Sequence, residues 1–273
     1  MNNLFTTERL WLMEAESYLQ LAALPAPATP PTGKPVPEHP GFTLDGGLAT
    51  VPIHGPIFRR LPEATRAVLN MFGIEHTEAQ KAAKVLKTLQ EDPAVLVVLL
   101  DVDSPGGTVN GTPELAEAVR ELSKKKYVYA FTSGQACSAA YWVASQCDGI
   151  YAAPSARVGS IGVLLPLLDC SEAYAKLGLR KEVITAGKYK GTGLTGTSLT
   201  DEQRALLQQQ VNDTWTEFKA AVTHRRRNIA PEHMEGQTFP GAQARTLGLV
   251  DATISTLEAV QNKLRARHCK GSF

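Results

Sequence analysis

Cysteine is scarce in this 273-residue chain: Cys137, Cys147, Cys170 and Cys269 are the four present, and they share no C-x-x-C spacing. Such usage argues against a disulfide framework and for a reducing compartment. The six histidines offer no metal-ligand spacing, since His224 and His233 stand nine residues apart across a proline and the others are scattered. No metal and no cofactor are expected. Charge of one sign is also lacking: the formal balance is +1, and the local runs Lys124–Lys126 and Arg225–Arg227 read as basic helix ends rather than a nucleic-acid surface. The longest strongly apolar run, Ala94 to Leu100, falls far short of the roughly 20 residues that span a bilayer, and Glu8, Glu14 and Glu16 interrupt any leader-like core near the start. These absences predict a soluble, unexported, cytoplasmic protein without a transmembrane anchor.

With 43% hydrophobic and 20% charged residues, the composition is that of an ordinary globular protein. A short helix fits residues 1–21. Seven prolines among small and polar residues over 24–42 read as a linker. From about residue 43 strand and helix patterns alternate. A strand over 47–53 ended by Gly55-Pro56 is followed by a helix over 77–90, a buried strand over 95–102, a helix over 113–125 and a strand over 127–132. The series continues with a helix from Ser138 to Gln146, strands near 149–152 and 161–165, a helix over 171–177 and a strand over 180–185. Thr200-Asp201-Glu202-Gln203 then reads as a capping box opening a long helix. This is the rhythm of βαβ units in an α/β fold.

Three segments carry candidate chemistry. Asp103-Ser104-Pro105-Gly106-Gly107 places a tight turn at the C-terminal end of an apolar strand, where α/β folds bind ligands. The Gly107 N–H there can face a developing oxyanion, although for the motif taken alone a plain strand-to-helix turn is the more ordinary account. Ser138 opens an apolar helix whose Ala139, Ala140 and Ala144 permit close approach, a setting that suits a nucleophile and also a simple N-cap. Tyr141 and Trp142 read as core. In Gly187-Lys188-Tyr189-Lys190, Lys190 fits a general base if burial lowers its ordinary pKa of about 10.4, with Lys188 as competitor and an exposed loop lysine as the plain alternative. Within Arg157-Val158-Gly159-Ser160-Ile161-Gly162-Val163, Ser160 fits either a partner that orients the lysine amine or a turn residue.

Taken together, in this order, the segments resemble peptidase family S49, the family of signal peptide peptidase A and of phage capsid-maturation proteases. The resemblance covers residues 45–255 and rests on Asp-Ser-Pro-Gly-Gly, on Ser138-Ala139-Ala140-Tyr141-Trp142 as a form of the family's Ser-Gly-Gly-Tyr-Trp, on Gly159-Ser160-Ile161-Gly162-Val163, on Tyr189-Lys190, and on Gly241–Ala244 through Gly248-Leu249-Val250-Asp251. It implies a Clp protease/crotonase-like fold, a ββα superhelix with a C-terminal helical segment. It further implies Ser138 as nucleophile, Lys190 as general base, Ser160 assisting the lysine, Gly107 as oxyanion donor with Ala139 N–H as a second, and a substrate groove beside Gly106, Ile161 and Gly162. Alanines at 139 and 140 depart from the family's glycines and narrow the pocket.

The organisation expected on this basis is an N-terminal helical segment (1–23), a Pro-rich linker (24–42), a peptidase domain (43–267) and a tail (268–273). Only one copy of each motif is present, so the resemblance implies a homo-oligomer in which Ser138 and Lys190 come from neighbouring protomers and do not hydrogen-bond within one. Expected partners are a peptide or protein substrate and further copies of the chain, with no nucleic acid. Without an anchor the chain looks more like a phage or prophage capsid protease, associated with the procapsid, than a membrane-bound signal peptide peptidase. Two alternatives stand beside the peptidase: a catalytically silent assembly scaffold, and a crotonase-like acyl-CoA enzyme, which would want catalytic carboxylates and leave the Ser138/Lys190 pair without a role.

Overall fold

The computed structural model describes residues 10–24 and 41–269. The chain there opens with a three-residue strand, β1 (Trp11–Met13), and helix α1 (Ala15–Ala22). It continues through β2 (Thr43–Asp45), β3 (Leu48–His54), β4 (Ile57–Phe58), α2 (Glu63–Met71), β5 (Thr77–Glu78), α3 (Ala79–Glu91), β6 (Val97–Asp103), β7 (Gly106–Thr108) and α4 (Thr112–Ser123). Then follow β8 (Tyr127–Thr132), β9 (Gln135–Cys137), α5 (Ala139–Ser145), β10 (Gly149–Ala152), β11 (Arg157–Gly159), α6 (Ser171–Lys176) and the long α7 (Asp201–Arg225). β12 (Thr238–Pro240), α8 (Gly241–Thr246), β13 (Ala252–Thr253) and α9 (Leu257–His268) complete the described chain.

A six-stranded sheet in the order β13-β10-β8-β6-β3-β2 forms the centre, parallel throughout except for β2 at its edge. Strand β6 opens as an apolar run, Val97–Leu100, because both of its faces are covered there. Val98, Leu100 and Val102 face the core shared with α3, α4 and α5, while Val97 and Leu99 face Val260 and Leu264 of α9. Each long strand then hands over at its C-terminal end to a short strand of a second layer: β3 to β4, β6 to β7, β8 to β9, β10 to β11. The second layer contains β1-β7-β4-β5 and β12-β11-β9, joined by a parallel bridge between Ser104 and Ala136. Strand, short strand, helix is therefore the repeating unit, and the expected α/β fold of ββα units is the observed one.

Local expectations fare unevenly. The Thr200/Gln203 capping box is present, with both reciprocal bonds at 3.2 Å. Helix α3 starts at Ala79 rather than 77 because Thr77–Glu78 pair with β4. No strand forms over 161–165: β11 ends at Gly159, where Gly159 at φ 117° and Ser160 at φ 52° turn the backbone out of the sheet, and only a bridge from Leu164 to Trp11 continues it. Residues 180–185 form no strand either, and Ile184 is 94% exposed, so the apolar pattern there has no sheet to join. Among the described residues of the helix expected over 1–21, 15–22 are helical, and they are preceded by β1, which pairs with β7 of the main body. Residues 1–9, most of the proline-rich segment (25–40) and the last residues of the tail (270–273) lie outside the described residues.

The basic run at the end of α7 divides its roles. Arg225 reaches Asp148 at 2.8 Å in a half-exposed pair, whereas Arg226 is buried and donates to Asp251 at 2.7 Å and to the Cys147 carbonyl at 3.0 Å. Asp251 also accepts from the Ile150 N–H at 2.7 Å, which locks the Gly248–Asp251 motif onto β10. At the end of β3, His54 bridges Asp101 at 3.2 Å and Glu75 at 3.3 Å. Its hydrogen bond to Asp101 raises its pKa above the ordinary value, against an opposing effect of burial.

Two predictions follow from these contacts. Replacement of Asp251 by Ala leaves a buried guanidinium without its anion, and the half-exposed carboxylate moderates the cost to about 2 kcal/mol; a urea midpoint unchanged from wild type would show that Arg226 needs no partner. For His54 the raised pKa means that the contribution to stability is complete below the unfolded value near 6.5 and is lost as pH rises through the higher folded value. The stability difference between wild type and His54→Gln should therefore be larger at pH 5.5 than at pH 8.5, and a difference constant with pH would contradict the bridge.

Candidate active site

Two non-glycine residues among those described hold positive φ: Ser138 at 52° and Ser160 at 52°. Both are residues singled out by sequence, and such backbone costs about 1–3 kcal/mol each, so the surroundings must impose it. For Ser138 they do. Strand β9 arrives with the Cys137 N–H donating to the Ser104 carbonyl at 3.1 Å, and the Ser138 N–H donates to the Gly159 carbonyl at 2.8 Å. Helix α5 departs at once, with the Trp142 N–H donating to the Ser138 carbonyl at 2.9 Å. Ser138 is thus the strained residue of a strand-to-helix elbow.

As the residue before α5, Ser138 makes no side-chain cap bond, so the N-cap account of it is set aside. Its Oγ makes only a long contact, 3.5 Å, with the Gly162 carbonyl. The N–H groups of Ala139, Ala140 and Tyr141 have no intrahelical acceptor and give this end of the helix a positive potential. All of α5 is buried: Trp142 stacks on Phe218 with ring centroids 4.7 Å apart, and the Tyr141 hydroxyl donates to the Leu249 carbonyl at 2.8 Å. Tyr141 and Trp142 are therefore core, as read from the sequence. The neighbouring Cys137 thiol is pushed up to about 12 by burial, which makes it a poor nucleophile beside the serine.

The Asp103–Gly107 turn lies against this elbow. Ser104 is fully buried; its N–H donates to the Gln135 carbonyl at 2.8 Å, and its hydroxyl accepts from the Gly106 N–H at 3.2 Å. Asp103 accepts from the Gln135 N–H at 3.1 Å through Oδ1, and through its carbonyl from Gly55 N–H at 2.8 Å. Asp103 and Ser104 thus position the strand that leads into Ser138, a role that their place in the Asp-Ser-Pro-Gly-Gly motif does not announce. Gly106 and Gly107 cannot be other residues: a Cβ at 106 would fall 2.0 Å from the Leu12 carbonyl oxygen, and one at 107 would fall 1.9 Å from that of Ile57.

Ser160, Ile161 and Gly162 run past the other side of Ser138. The Ser160 N–H donates to the Gln237 carbonyl at 2.6 Å, Ile161 is buried, and Gly162 borders a shallow depression shared with Val163, Val211, Trp215 and Glu235. The structure therefore brings together Ser138, Ala139, Ser160, Ile161 and Gly162, with the Gly106–Gly107 turn stitched to the same elbow through Ser104. Lys190 it does not bring in. Lys188, Tyr189 and Lys190 lie on an exposed stretch; Lys188 Nζ sits 5.4 Å from the Tyr189 ring centroid, and no hydrogen bond joins Lys190 to Ser138 or Ser160 among the described residues. No cluster of three or more histidine, cysteine or acidic side chains with metal-binding geometry occurs among the described residues, and no described helix is long and apolar enough to cross a membrane.

Comparison with known proteins adds to this geometry. The chain is 36% identical to a putative protease of Methanocaldococcus jannaschii over 197 residues, 71% of this chain and 63% of that one. It is 31% identical to a putative signal peptide peptidase SppA of Enterococcus faecium (67% of this chain, 54% of the relative) and 29% identical to the capsid assembly protease C of Escherichia phage lambda (80% and 49%). The chain thus spans less than two thirds of the length of these relatives. Among solved structures, an enoyl-CoA hydratase/isomerase family member aligns with 83% of this chain and 72% of its own at a TM-score of 0.40 and 22% identity. The model of peptidase family S49 matches residues 120–269, more than half of the sequence and including Ser138, Ser160 and Lys190. The chain belongs to peptidase family S49.

Proposed function

We propose that this protein is a serine endopeptidase that cleaves extended peptide segments through an acyl-enzyme on Ser138, with Lys190 of a neighbouring copy as the general base. The observation that carries the reading is the elbow: a buried serine at φ 52° opening a helix whose first-turn N–H groups have no intrahelical acceptor. Ser138 Oγ attacks the scissile carbonyl and loses its proton to the Lys190 amine; the tetrahedral oxyanion is received by the Ala139 N–H and the Gly107 turn. Collapse expels the amine, which takes the proton from Lys190, and water activated by the same lysine releases the acyl group.

Supply of the lysine from another copy is supported by the surface around it. Leu168, Leu177 and Ile184 are 77%, 73% and 94% exposed along the stretch that ends at Tyr189-Lys190. Single exposed apolar residues mean little, but this many on one arm mark an interaction surface. A lysine base requires burial to be neutral at working pH, and a second protomer docked on this arm would provide it. Similarity to capsid assembly protease C supports a procapsid setting, in which the substrate would be an assembly protein.

The test is cleavage of unfolded casein by wild type, Ser138→Ala and Lys190→Ala, with assembly followed by light scattering. Both variants should assemble normally and lose cleavage at least a hundredfold. Co-expression of the two should restore part of the activity, because mixed assemblies contain sites with an intact serine facing an intact lysine. Full activity in Lys190→Ala would overturn the dyad, and no recovery on co-expression would return both residues to one protomer.

A further inference from the structure

A peptidase acting on extended segments needs a free strand edge beside its nucleophile, and here that edge is filled by the chain itself. β7, which contains Gly107, has β4 on one side, in parallel register Ile57 to Gly107, and β1 on the other, in antiparallel register Trp11 to Thr108, Leu12 to Gly107 and Met13 to Gly106. The flanking bonds, Glu14 N–H to the Pro105 carbonyl at 2.8 Å and Val109 N–H to the Leu10 carbonyl at 3.2 Å, fix the phase of the ladder. Hydrogen-bonded pairs alternate along an antiparallel ladder, so Leu12 and Gly107 form such a pair and the Gly107 N–H is held by the Leu12 carbonyl. The other edge of β1 meets the segment beyond Ser160: Trp11 N–H donates to the Leu164 carbonyl and Leu164 N–H to the Trp11 carbonyl, both at 3.0 Å. β1 therefore lies between the Gly106–Thr108 strand and the 161–164 segment, the two edges that sequence assigns to the groove. Trp11, Leu12 and Met13 are at most 3% exposed, and Ser138 has no exposed surface.

Resting on the peptidase reading above, we propose that β1 is an intramolecular occupant of the substrate groove, and that the groove accepts extended segments of the same pattern, consecutive apolar residues followed by a carboxylate, when β1 leaves. Arg157 at the start of β11 is the specificity residue for that carboxylate: it pairs with Glu14 at 3.4 Å while nearly half of its side chain stays exposed, so a second chain can offer the same group. In the resting arrangement a carbonyl of the protein's own backbone sits on the donor meant for the oxyanion, and no substrate can reach Ser138.

The pairing of Trp11 with Leu164 supplies the test. Each donates to the other's carbonyl, the arrangement whose Cα separation of about 5.5 Å suits a disulfide. In Trp11→Cys/Leu164→Cys, oxidation should fix β1 in the groove and lower casein cleavage at least tenfold below wild type. Reduction should raise it above wild type, because the buried Trp11 ring no longer holds the strand. A labelled synthetic peptide of residues 9–16 should bind the reduced form and not the oxidised one, and less tightly when Arg157→Ala is added. Equal cleavage and binding in the two redox states would overturn the proposal while leaving the peptidase reading intact; redox-gated binding without cleavage in any form, wild type included, would keep the groove and overturn the peptidase. Should the double variant misfold, hydrogen exchange on the wild type decides. Amides of residues 11–14 should lose protection when the peptide is added, and unchanged protection would make β1 a permanent part of the fold.

Discussion

The structure depends on one constraint: each long parallel strand must leave the main sheet at its C-terminal end and enter the second layer within two to four residues. At β6 the Asp103–Gly107 turn accomplishes this, and at β8 the passage leads through Gln135–Cys137 into Ser138. The two passages are bound to each other by Ser104 N–H to Gln135 and Cys137 N–H to Ser104. With β9 held on one side by Ser104 and on the other by Gly159, Ser138 has no freedom to relax from φ 52°. The strain at the candidate nucleophile is thus a consequence of how the layers are stitched together.

Burial of the sheet on both faces makes that strain sustainable. The odd positions of β6 face α9 and the even ones face α3, α4 and α5, so the strand ends are anchored by apolar packing that extends well beyond the site. The C-terminal motif contributes at the far side. Asp251 ties Arg226 of the chain beyond α7 to β10, and Leu249 receives the Tyr141 hydroxyl from α5. Residues 248–251, which look remote from chemistry in the sequence, therefore fix the helix whose first turn faces the candidate oxyanion.

Much of this was legible beforehand because its signals are local. The alternation of apolar strands and amphipathic helices locates β3, β6, β8 and β10 within one or two residues, and Thr200 with Gln203 announces the start of α7. The elbow was legible only as a serine before an alanine-rich helix, since serine, unlike glycine or asparagine, does not advertise positive φ. Strand β1 was missed for a different reason. Trp11-Leu12-Met13 is too short for a period to appear, and its partners, Gly106–Thr108 and Leu164, lie some 90 and 150 residues away. The false strands over 161–165 and 180–185 have different causes: the turn at Gly159–Ser160 reduces the first to a single bridge between Leu164 and Trp11, whereas the β-branched residues of the second meet no pleated surface among the described residues.

That last failure bears on assembly. Val183 and Ile184 have the composition of a strand, stand open to solvent, and lie six to seven residues before Lys190. Within one protomer nothing among the described residues covers them. A second copy covering this arm would bury the lysine along with it, so the same contact that satisfies the apolar surface would also lower the charge preference of the amine. Assembly and activation of the base would then be one event. A protomer alone would keep an exposed lysine, a buried serine and its own N-terminal strand in the groove, three separate reasons for an unassembled chain to leave other proteins intact.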